Sequence, residues 1–189
     1  MYDVIVVGAG PAGPAGASAA LFTAKAGKRT LMIDNDKSMT KKAWVENHYG
    51  VKAVTGPDLV ETGIEQAKKF GTEVEKSAVT AVISNEETVN VTTESSTYEA
   101  RHVILATGIL ADIAEKSGIE TVEGTEPRIK TVIKVDRDGK TNKPGVWAAG
   151  TCAGLSVHTI ITAGHGAEVA INVISDLNGE RYVDHDILK

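Results

Sequence analysis

The feature that most constrains this sequence is a glycine-rich turn that follows an apolar run and precedes an alanine-rich segment. Tyr2-Asp-Val-Ile-Val-Val-Gly8 is typical of a parallel strand buried on both faces. The pattern Gly8-x-Gly10-x-x-Gly13 comes next, and a helix is predicted after it. In such a turn the first glycine permits a tight bend, the second lets a diphosphate approach the backbone, and the third allows close helix–strand packing. This context predicts a dinucleotide-binding βα unit, with a merely structural turn as the alternative.

A second strand, Thr30–Asp34, completes a βαβ unit. In this kind of unit a carboxylate at the end of the second strand binds the ribose hydroxyls. Asp34 stands at that position, with Asn35 beside it. We therefore predict that both residues contact the nucleotide, whereas the alternative is a solvated strand end.

The glycine turn contains a tandem repeat, because Pro11-Ala-Gly13 is followed at once by Pro14-Ala-Gly16. Asp34 follows Gly8 by 26 positions, and without one copy the interval would be 23, closer to the roughly twenty usual for such units. A proline inside the first helical turns would remove a hydrogen bond, so we predict that the helix begins at Pro14. We hypothesise that a diphosphate still binds to the lengthened loop and that Gly16 takes over part of the packing role of Gly13.

The remaining sequence predicts one domain, residues 1–189, of the α/β class: a doubly wound parallel sheet with a small antiparallel β-meander. We interpret the meander as an insertion over residues 73–100, with short strands at 73–76, 79–84, 89–93 and 97–100. Further parallel strands are predicted at Val103–Ala106 and Gly145–Ala148, and helices at about 56–70 and 158–176. A short helical turn near Ile113 and a strand over Thr131–Val135 are also predicted.

Composition excludes several classes of function. The net charge is −5 and no basic run is longer than Lys41-Lys42, so we expect no nucleic-acid partner. The single cysteine, Cys152, excludes an internal disulfide and a CxxC pair within these residues. No leader and no span near twenty apolar residues is apparent, so we expect a cytoplasmic protein with no membrane partner. No cluster of metal ligands is predicted.

Four segments in order resemble the flavin domain of the pyridine nucleotide-disulfide oxidoreductases, most closely the thioredoxin reductases. Val-Ile-Val-Val-Gly-Ala-Gly-Pro-Ala-Gly, residues 4–13, resembles the opening of that domain. The other three are similar to its ATG segment, its second FAD motif and its flavin-facing helix: Val103-Ile-Leu-Ala-Thr-Gly108, Gly145-Val-Trp-Ala-Ala-Gly150 and Ala163-Gly-His-Gly-Ala167. The resemblance implies a Rossmann-like fold that binds FAD. Carried onto this sequence, the FAD-binding residues are Gly8, Gly10, Pro11, Ala12, Gly13, Asp34, Asn35, Thr107, Gly108, Gly150, Thr151, His158, Thr159 and Ile160.

The sequence departs from the family pattern at functionally important places. Thr151 stands where the family has an aspartate that binds the ribityl chain, and Val157-His158 replaces Arg-Gln at the start of the flavin-facing helix. Only 41 residues separate Gly108 from Gly150, where thioredoxin reductases insert an NAD(P)H domain that carries a CxxC. Electrons would therefore come from free NAD(P)H or from a separate redox protein. The docking surface of the missing domain would be exposed or covered by a second copy, so we predict a homodimer.

Three residues are candidates for reactive roles. Cys152 lies two positions beyond the glycine of the second motif, although a small buried apolar residue is the alternative. His158 is a candidate to stabilise an anionic reduced flavin, and His48 lies in a loop that by resemblance passes near the flavin ring. We expect a structural role for His165 and surface positions for His102 and His185. Two interpretations remain open, a flavin-dependent oxidoreductase and a non-catalytic nucleotide-binding or interaction module, while NAD in place of FAD is disfavoured by the second FAD motif.

Overall fold

A mostly parallel β-sheet forms the centre of the computed structural model, which describes residues 1–8, 13–184 and 186–188. The strands are β1 (Tyr2–Gly8), β2 (Thr30–Asp34), β3 (Trp44–Val45), β4 (Val54–Thr55), β5 (Glu73–Lys76), β6 (Val79–Ser84), β7 (Val89–Thr93), β8 (Thr97–Ala106), β9 (Thr121–Glu123), β10 (Thr131–Ile133) and β11 (Val146–Ala148). The helices are α1 (Pro14–Lys25), α2 (Gly56–Lys69), α3 (Asp112–Lys116) and α4 (Thr159–Asn178). Two 3-10 turns cover Met39–Lys42 and Gly150–Ala153.

The parallel strands lie in the order β5-β2-β1-β8, and β11 pairs with the C-terminal half of β8. Val7 of β1 lies opposite Ile33 of β2 on one side and Leu105 of β8 on the other. Strand β7 extends the same sheet by antiparallel pairing with the N-terminal half of β8, and β6 pairs antiparallel with β7 at the edge. The α/β fold class and the parallel strands predicted from the apolar runs are confirmed.

The central strands β1 and β2 are buried on both faces, which explains the continuous apolar run of β1. Ile5 and Val7 pack into one core cluster with side chains of β7, α3 and β10. Val4 and Val6 pack into a second cluster with the small side chains of α1 and with Val169 of α4. Helices α1 and α4 approach each other closely, because a Cβ at Gly166 would overlap the carbonyl group of Ala15.

The predicted meander over 73–100 is wrong at its first strand. Glu73–Lys76 is strand β5, which pairs in parallel with β2 at the edge of the sheet. The antiparallel part consists of β6, β7 and the first half of β8, and β8 is one continuous strand over the two segments predicted at 97–100 and 103–106. Periodicity indicates that a segment is a strand, but it does not say which neighbour the strand pairs with.

The helix boundaries follow the predictions. Helix α1 begins at Pro14 with Gly13 as its N-cap residue, as the duplicated Pro-Ala-Gly predicted, because a proline at the first helical position lacks an N–H that would be unpaired there anyway. Helix α4 begins one residue after His158 and ends at Asn178. The predicted surface position of His102 is wrong, since its side chain is only 12% exposed. His185 lies outside the described residues.

Candidate functional site

A cavity of about 390 Å³ opens at the carboxyl ends of the central parallel strands. In open α/β sheets ligands bind in the crevice outside these strand ends, and the volume lies within the usual range for ligand pockets. The lining comes from the start of α1, the loop after β2, the segment after β8, the end of β11 and the start of α4. The lining residues are Gly13, Pro14, Ala15, Lys37, Ser38, Met39, Thr40, Ala43, Ala106, Thr107, Gly108, Ile109, Leu110, Ala149, Thr151, Val157, Thr159 and Thr162.

Gly13, which ends the first glycine turn, and the second glycine motif come close together at this cavity. Gly150 has a φ of +78°, and a Cβ there would lie 2.7 Å from the Cβ of Ala15. The end of β11 is therefore in direct contact with the first turn of α1. Residues of both segments line a single cavity. A site for one long nucleotide, as the sequence resemblance implies, requires this arrangement.

Two long helices point their N-termini at the cavity, and neither carries a side-chain cap or an acidic residue in its first turn. Each helix N-terminus has unpaired N–H groups and about half a positive charge. The charged residue among the lining residues is Lys37, and no carboxylate is present in that set. The cavity is therefore electrostatically suited to an anionic ligand.

The segment after β8 contributes a fixed wall to the cavity. The Thr107 hydroxyl donates a hydrogen bond of 2.5 Å to the carbonyl oxygen of Leu110, and Thr107 is buried. Gly108 has a φ of +66°, and a Cβ added to it would meet no atom of the described residues within 4 Å. Among these residues the turn leaves space beside the backbone at Gly108, which a ligand can approach.

The predicted ribose-binding pair lies at the end of β2 but not among the residues that line the cavity. Asp34 is 6% exposed, and one of its carboxylate oxygens accepts the backbone N–H of Asp36 at 3.2 Å. The side-chain oxygen of Asn35 is buried and has no hydrogen-bond partner within the described structure. Since a buried acceptor is normally satisfied, this oxygen is suited to a donor from a ligand.

The predicted residues around the start of α4 are arranged in different ways. Thr159 lines the cavity, and its hydroxyl lies 3.0 Å from Nδ1 of His48 in the β3–β4 loop. His158 is the N-cap residue and is exposed, with Nδ1 at 2.9 Å from the Ser156 hydroxyl. Ile160 is 37% exposed and does not line the cavity. Its contribution would be the backbone N–H of the first helical turn.

The proposed reactive role of Cys152 is not supported by its surroundings. Cys152 is 1% exposed, and its thiol donates to the carbonyl oxygens of Leu105 and Ala149, each at 3.3 Å. Burial raises the pKa of this thiol, although hydrogen bonds offset part of the increase. A reactive cysteine needs a stabilised, accessible thiolate, so the structure corrects this candidate to a small buried residue of the core.

The predicted residues of the first glycine turn are only partly described. Gly8 is the buried last residue of β1, and Gly13 lines the cavity at the start of α1. Gly10, Pro11 and Ala12 lie outside the described residues. Their contact with a diphosphate stays a prediction.

Comparison with known proteins identifies the family of this chain. Residues 2–132 match the family model described as pyridine nucleotide-disulphide oxidoreductase. This chain belongs to that family. The match covers the first glycine turn and the segment after β8, and it ends before the second glycine motif.

Thioredoxin reductases are among the proteins to which this chain is similar in sequence and in fold. The chain is 43% identical over 111 residues to a thioredoxin reductase of Listeria innocua, a match that covers 57% of this chain and 34% of the relative. It thus spans about a third of the length of the curated relatives it matches. The fold is similar to that of a thioredoxin reductase from Gloeobacter violaceus, with a TM-score of 0.81 and 18% identity, covering 100% of this chain and 99% of the other. A ferredoxin-flavin thioredoxin reductase from Clostridium acetobutylicum has a TM-score of 0.74 and 20% identity over 94% of this chain and 98% of its own.

Several lining residues of this family member were missed by sequence reasoning. The loop after β2 contributes Lys37, Ser38 and Met39, and the turn after β8 contributes Ile109 and Leu110. Their position directly after parallel strands was the available signal, since such loops meet at one edge of the sheet. None of the described helices is long and apolar enough to cross a membrane.

Proposed function

We propose that the cavity binds FAD and that the chain acts as a flavin-dependent oxidoreductase related to the thioredoxin reductases. The observation that carries this proposal is the convergence of two uncapped helix N-termini on one cavity, whose described lining residues include no carboxylate. The helix ends would bind the negatively charged parts of the cofactor. The buried side-chain oxygen of Asn35, which has no hydrogen-bond partner among the described residues, would accept a hydrogen bond from a hydroxyl of the nucleotide.

The cofactor would supply hydride and electron transfer, while the protein supplies binding, orientation and electrostatics. Pro14 and the N–H groups of the first turn of α1 would position the diphosphate. The central part of the ligand would lie against Thr107, Gly108 and Thr151. The ring system would face Thr159 and the backbone of Ile160. Thr151 offers one hydroxyl, which can donate or accept a hydrogen bond but carries no charge.

Electrons would enter from free NAD(P)H or from a separate redox protein. The family relation supports nicotinamide as a source, and one structural neighbour is named a ferredoxin-flavin thioredoxin reductase, which favours a protein reductant. Exposed apolar side chains surround the cavity and the start of α4, namely Ile109, Leu110, Val157, Ile160 and Ile161. Such a surface suits a partner, and we propose a second copy of the chain, to be tested by molar mass from light scattering.

The binding experiment is a titration of the purified chain with FAD, followed by flavin fluorescence and by thermal unfolding. At a hundred times Kd, FAD is expected to increase the free energy of unfolding by about 2.7 kcal/mol. Anaerobic bleaching of the bound flavin by NADPH would then distinguish direct reduction from a need for a separate protein.

A pair of matched variants tests the location of the site. Gly13 lines the cavity, and among the described residues a Cβ added to it would have only Ser38 Oγ within 4 Å, at 3.7 Å. Gly13→Leu is therefore expected to fill the cavity and abolish FAD binding. Gly164 has open space around it and does not line the cavity, so Gly164→Leu should keep the wild-type affinity. A folded wild-type protein that is colourless and gains no stability from FAD would favour the second candidate, a non-catalytic module.

A further inference from the structure

We infer that His165 is a positioning residue, which holds the Gly150 corner of the cavity through an acceptor nitrogen. The backbone N–H of Gly150 donates a hydrogen bond of 3.0 Å to Nδ1 of His165. The inference rests on the proposed function for its effect on FAD, whereas the hydrogen bond itself is open to test in the protein alone.

Gly150 occupies a backbone position that needs to be held. It has a φ of +78° and lies where the chain leaves β11 and enters the 3-10 turn over Gly150–Ala153. Ala149 donates its N–H to the carbonyl oxygen of Leu105 at 2.9 Å, so the sheet holds the preceding residue and His165 holds Gly150. The residues on either side, Ala149 and Thr151, both line the cavity. A shift of Gly150 would therefore move the cavity wall.

Close packing at Gly166, the residue after His165, explains how the imidazole ring of His165 reaches Gly150. Gly166 packs so tightly on α1 that a Cβ would overlap the carbonyl group of Ala15, and a Cβ on Gly150 would contact the Cβ of the same alanine. The start of α1, the 3-10 turn and α4 thus meet around Ala15. From this contact the imidazole of His165 reaches the backbone N–H of Gly150. Among the described hydrogen bonds, this N–H has no backbone acceptor.

The hydrogen bond requires a neutral ring with its proton on Nε2, because Nδ1 accepts. Burial lowers the pKa of His165, and the charge of Glu168, one turn further along α4, raises it by a smaller amount. Helix α1 carries no charged residue before Lys25, and the 3-10 turn carries only the buried thiol of Cys152 as a titratable group. Protonation of His165 in acid would place a donor against the N–H of Gly150 and break this hydrogen bond.

Three substitutions distinguish an acceptor from a space-filling side chain. His165→Asn places an amide oxygen near the position of Nδ1 and does not titrate, so it should keep the bond. His165→Gln places its amide near Nε2, and His165→Leu has no acceptor. In the protein without cofactor, the amide hydrogen of Gly150 is expected to exchange at least about tenfold faster in the leucine and glutamine variants than in wild type and His165→Asn, as expected for loss of one protecting bond.

The same variants test the consequence for the site. Without the hydrogen bond, FAD binding has to restore the backbone conformation at Gly150. FAD affinity at pH 7.5 should therefore fall about tenfold in His165→Leu and change by less than about threefold in His165→Asn. Wild-type affinity should weaken as the pH falls below 6.5, the ordinary pKa of a histidine, through the lower pKa of His165 in the folded protein, and His165→Asn should remove that pH dependence. If His165→Leu does not fold, the comparison of Asn with Gln decides the question.

Unchanged exchange of the Gly150 amide in His165→Gln, or equal affinity losses in the Asn and Gln variants, would overturn the inference. If no variant and no wild-type protein binds FAD, the proposed function fails, while the exchange data still decide whether His165 holds Gly150. The two failures are therefore distinguishable.

Discussion

The indole Nε1 of Trp147 donates a hydrogen bond of 3.0 Å to Nδ1 of His102, which fixes the neutral form of that imidazole. Nε2 of the same ring lies 3.5 Å from a carboxylate oxygen of Asp176. Trp147 is 3% exposed. Burial is the largest influence on the pKa of His102 and lowers it; Asp176 raises it, and the nearby cations Arg101 and Lys140 lower it further. The ring is therefore held neutral between a buried donor and a surface acceptor.

This contact predicts a loss of stability in mild acid. Because the pKa of His102 is lower in the folded protein than in the unfolded chain, the unfolded state takes up more protons below the ordinary value of 6.5. The stabilising contribution is complete above that pH and is lost as the pH falls through the folded-state pKa. Urea unfolding measures how far the free energy of unfolding decreases between pH 7.5 and pH 5. This decrease should be smaller in His102→Asn than in wild type, because asparagine keeps an acceptor for Trp147 but does not titrate.

His158→Gln is the control, because it removes an exposed imidazole at the start of α4. It is expected to keep the wild-type decrease between the two pH values. An equally large decrease in His102→Asn would show that the acid sensitivity arises elsewhere.

The packing of α4 on α1 predicts opposite effects of one substitution at two nearby glycines. Gly166→Ala forces a Cβ onto the carbonyl group of Ala15, and backbone cannot move aside as a flexible side chain can. We expect a loss of about 2 to 3 kcal/mol in the free energy of unfolding. Gly164→Ala meets no atom within 4 Å and should stabilise the helix by about 0.5 to 1 kcal/mol. Chemical denaturation of both variants measures this difference, and equal effects would contradict the described helix contact.

The sequence was most informative where local chemistry alone decides the structure. The apolar runs predicted the parallel strands, and the proline of the repeat predicted the start of α1. The strand at Glu73–Lys76 was recognised but given the wrong neighbour, since pairing depends on the path of the whole chain. Burial of His102 was missed because a polar residue at the middle of β8 gives no sign of the Trp147 donor beside it.

In the candidate site too, local motifs could be predicted from the sequence, whereas contacts that depend on the path of the chain could not. Residues within glycine motifs were predicted to lie together, and Gly13, Gly108 and Thr151 do line one cavity. The loop after β2 carries no motif, so Lys37 and Ser38 were not foreseen. Long-range contacts such as the one between Gly150 and His165 arise from helix packing, which a single sequence does not specify.

Two threonines that line the cavity predict different contributions to FAD binding. The hydroxyl of Thr162 is already used within α4, where it donates to the carbonyl oxygens of His158 and Thr159 at 3.3 and 3.1 Å. Thr151 stands in the second glycine motif and is 6% exposed. Thr151→Val should weaken FAD binding about fivefold, the effect of one ordinary hydrogen bond, while Thr162→Val changes it less. Fluorescence titration measures both, and a larger loss in Thr162→Val would contradict the assigned roles.

The duplicated Pro-Ala-Gly predicts that the lengthened loop is tolerated. Deleting either copy gives the same shortened chain, which joins Gly10 directly to a single Pro-Ala-Gly. In the full chain α1 begins at the second copy, and Ala15 of that copy contacts both Gly150 and Gly166. The shortened chain can keep these contacts, so FAD affinity is expected to change by less than about tenfold, or 1.4 kcal/mol. Pro14→Ala, which keeps the length but removes the proline, separates the effect of the ring from that of the insertion. A gain far above tenfold in the shortened chain alone would mean that the extra residues displace the diphosphate from the helix N-terminus.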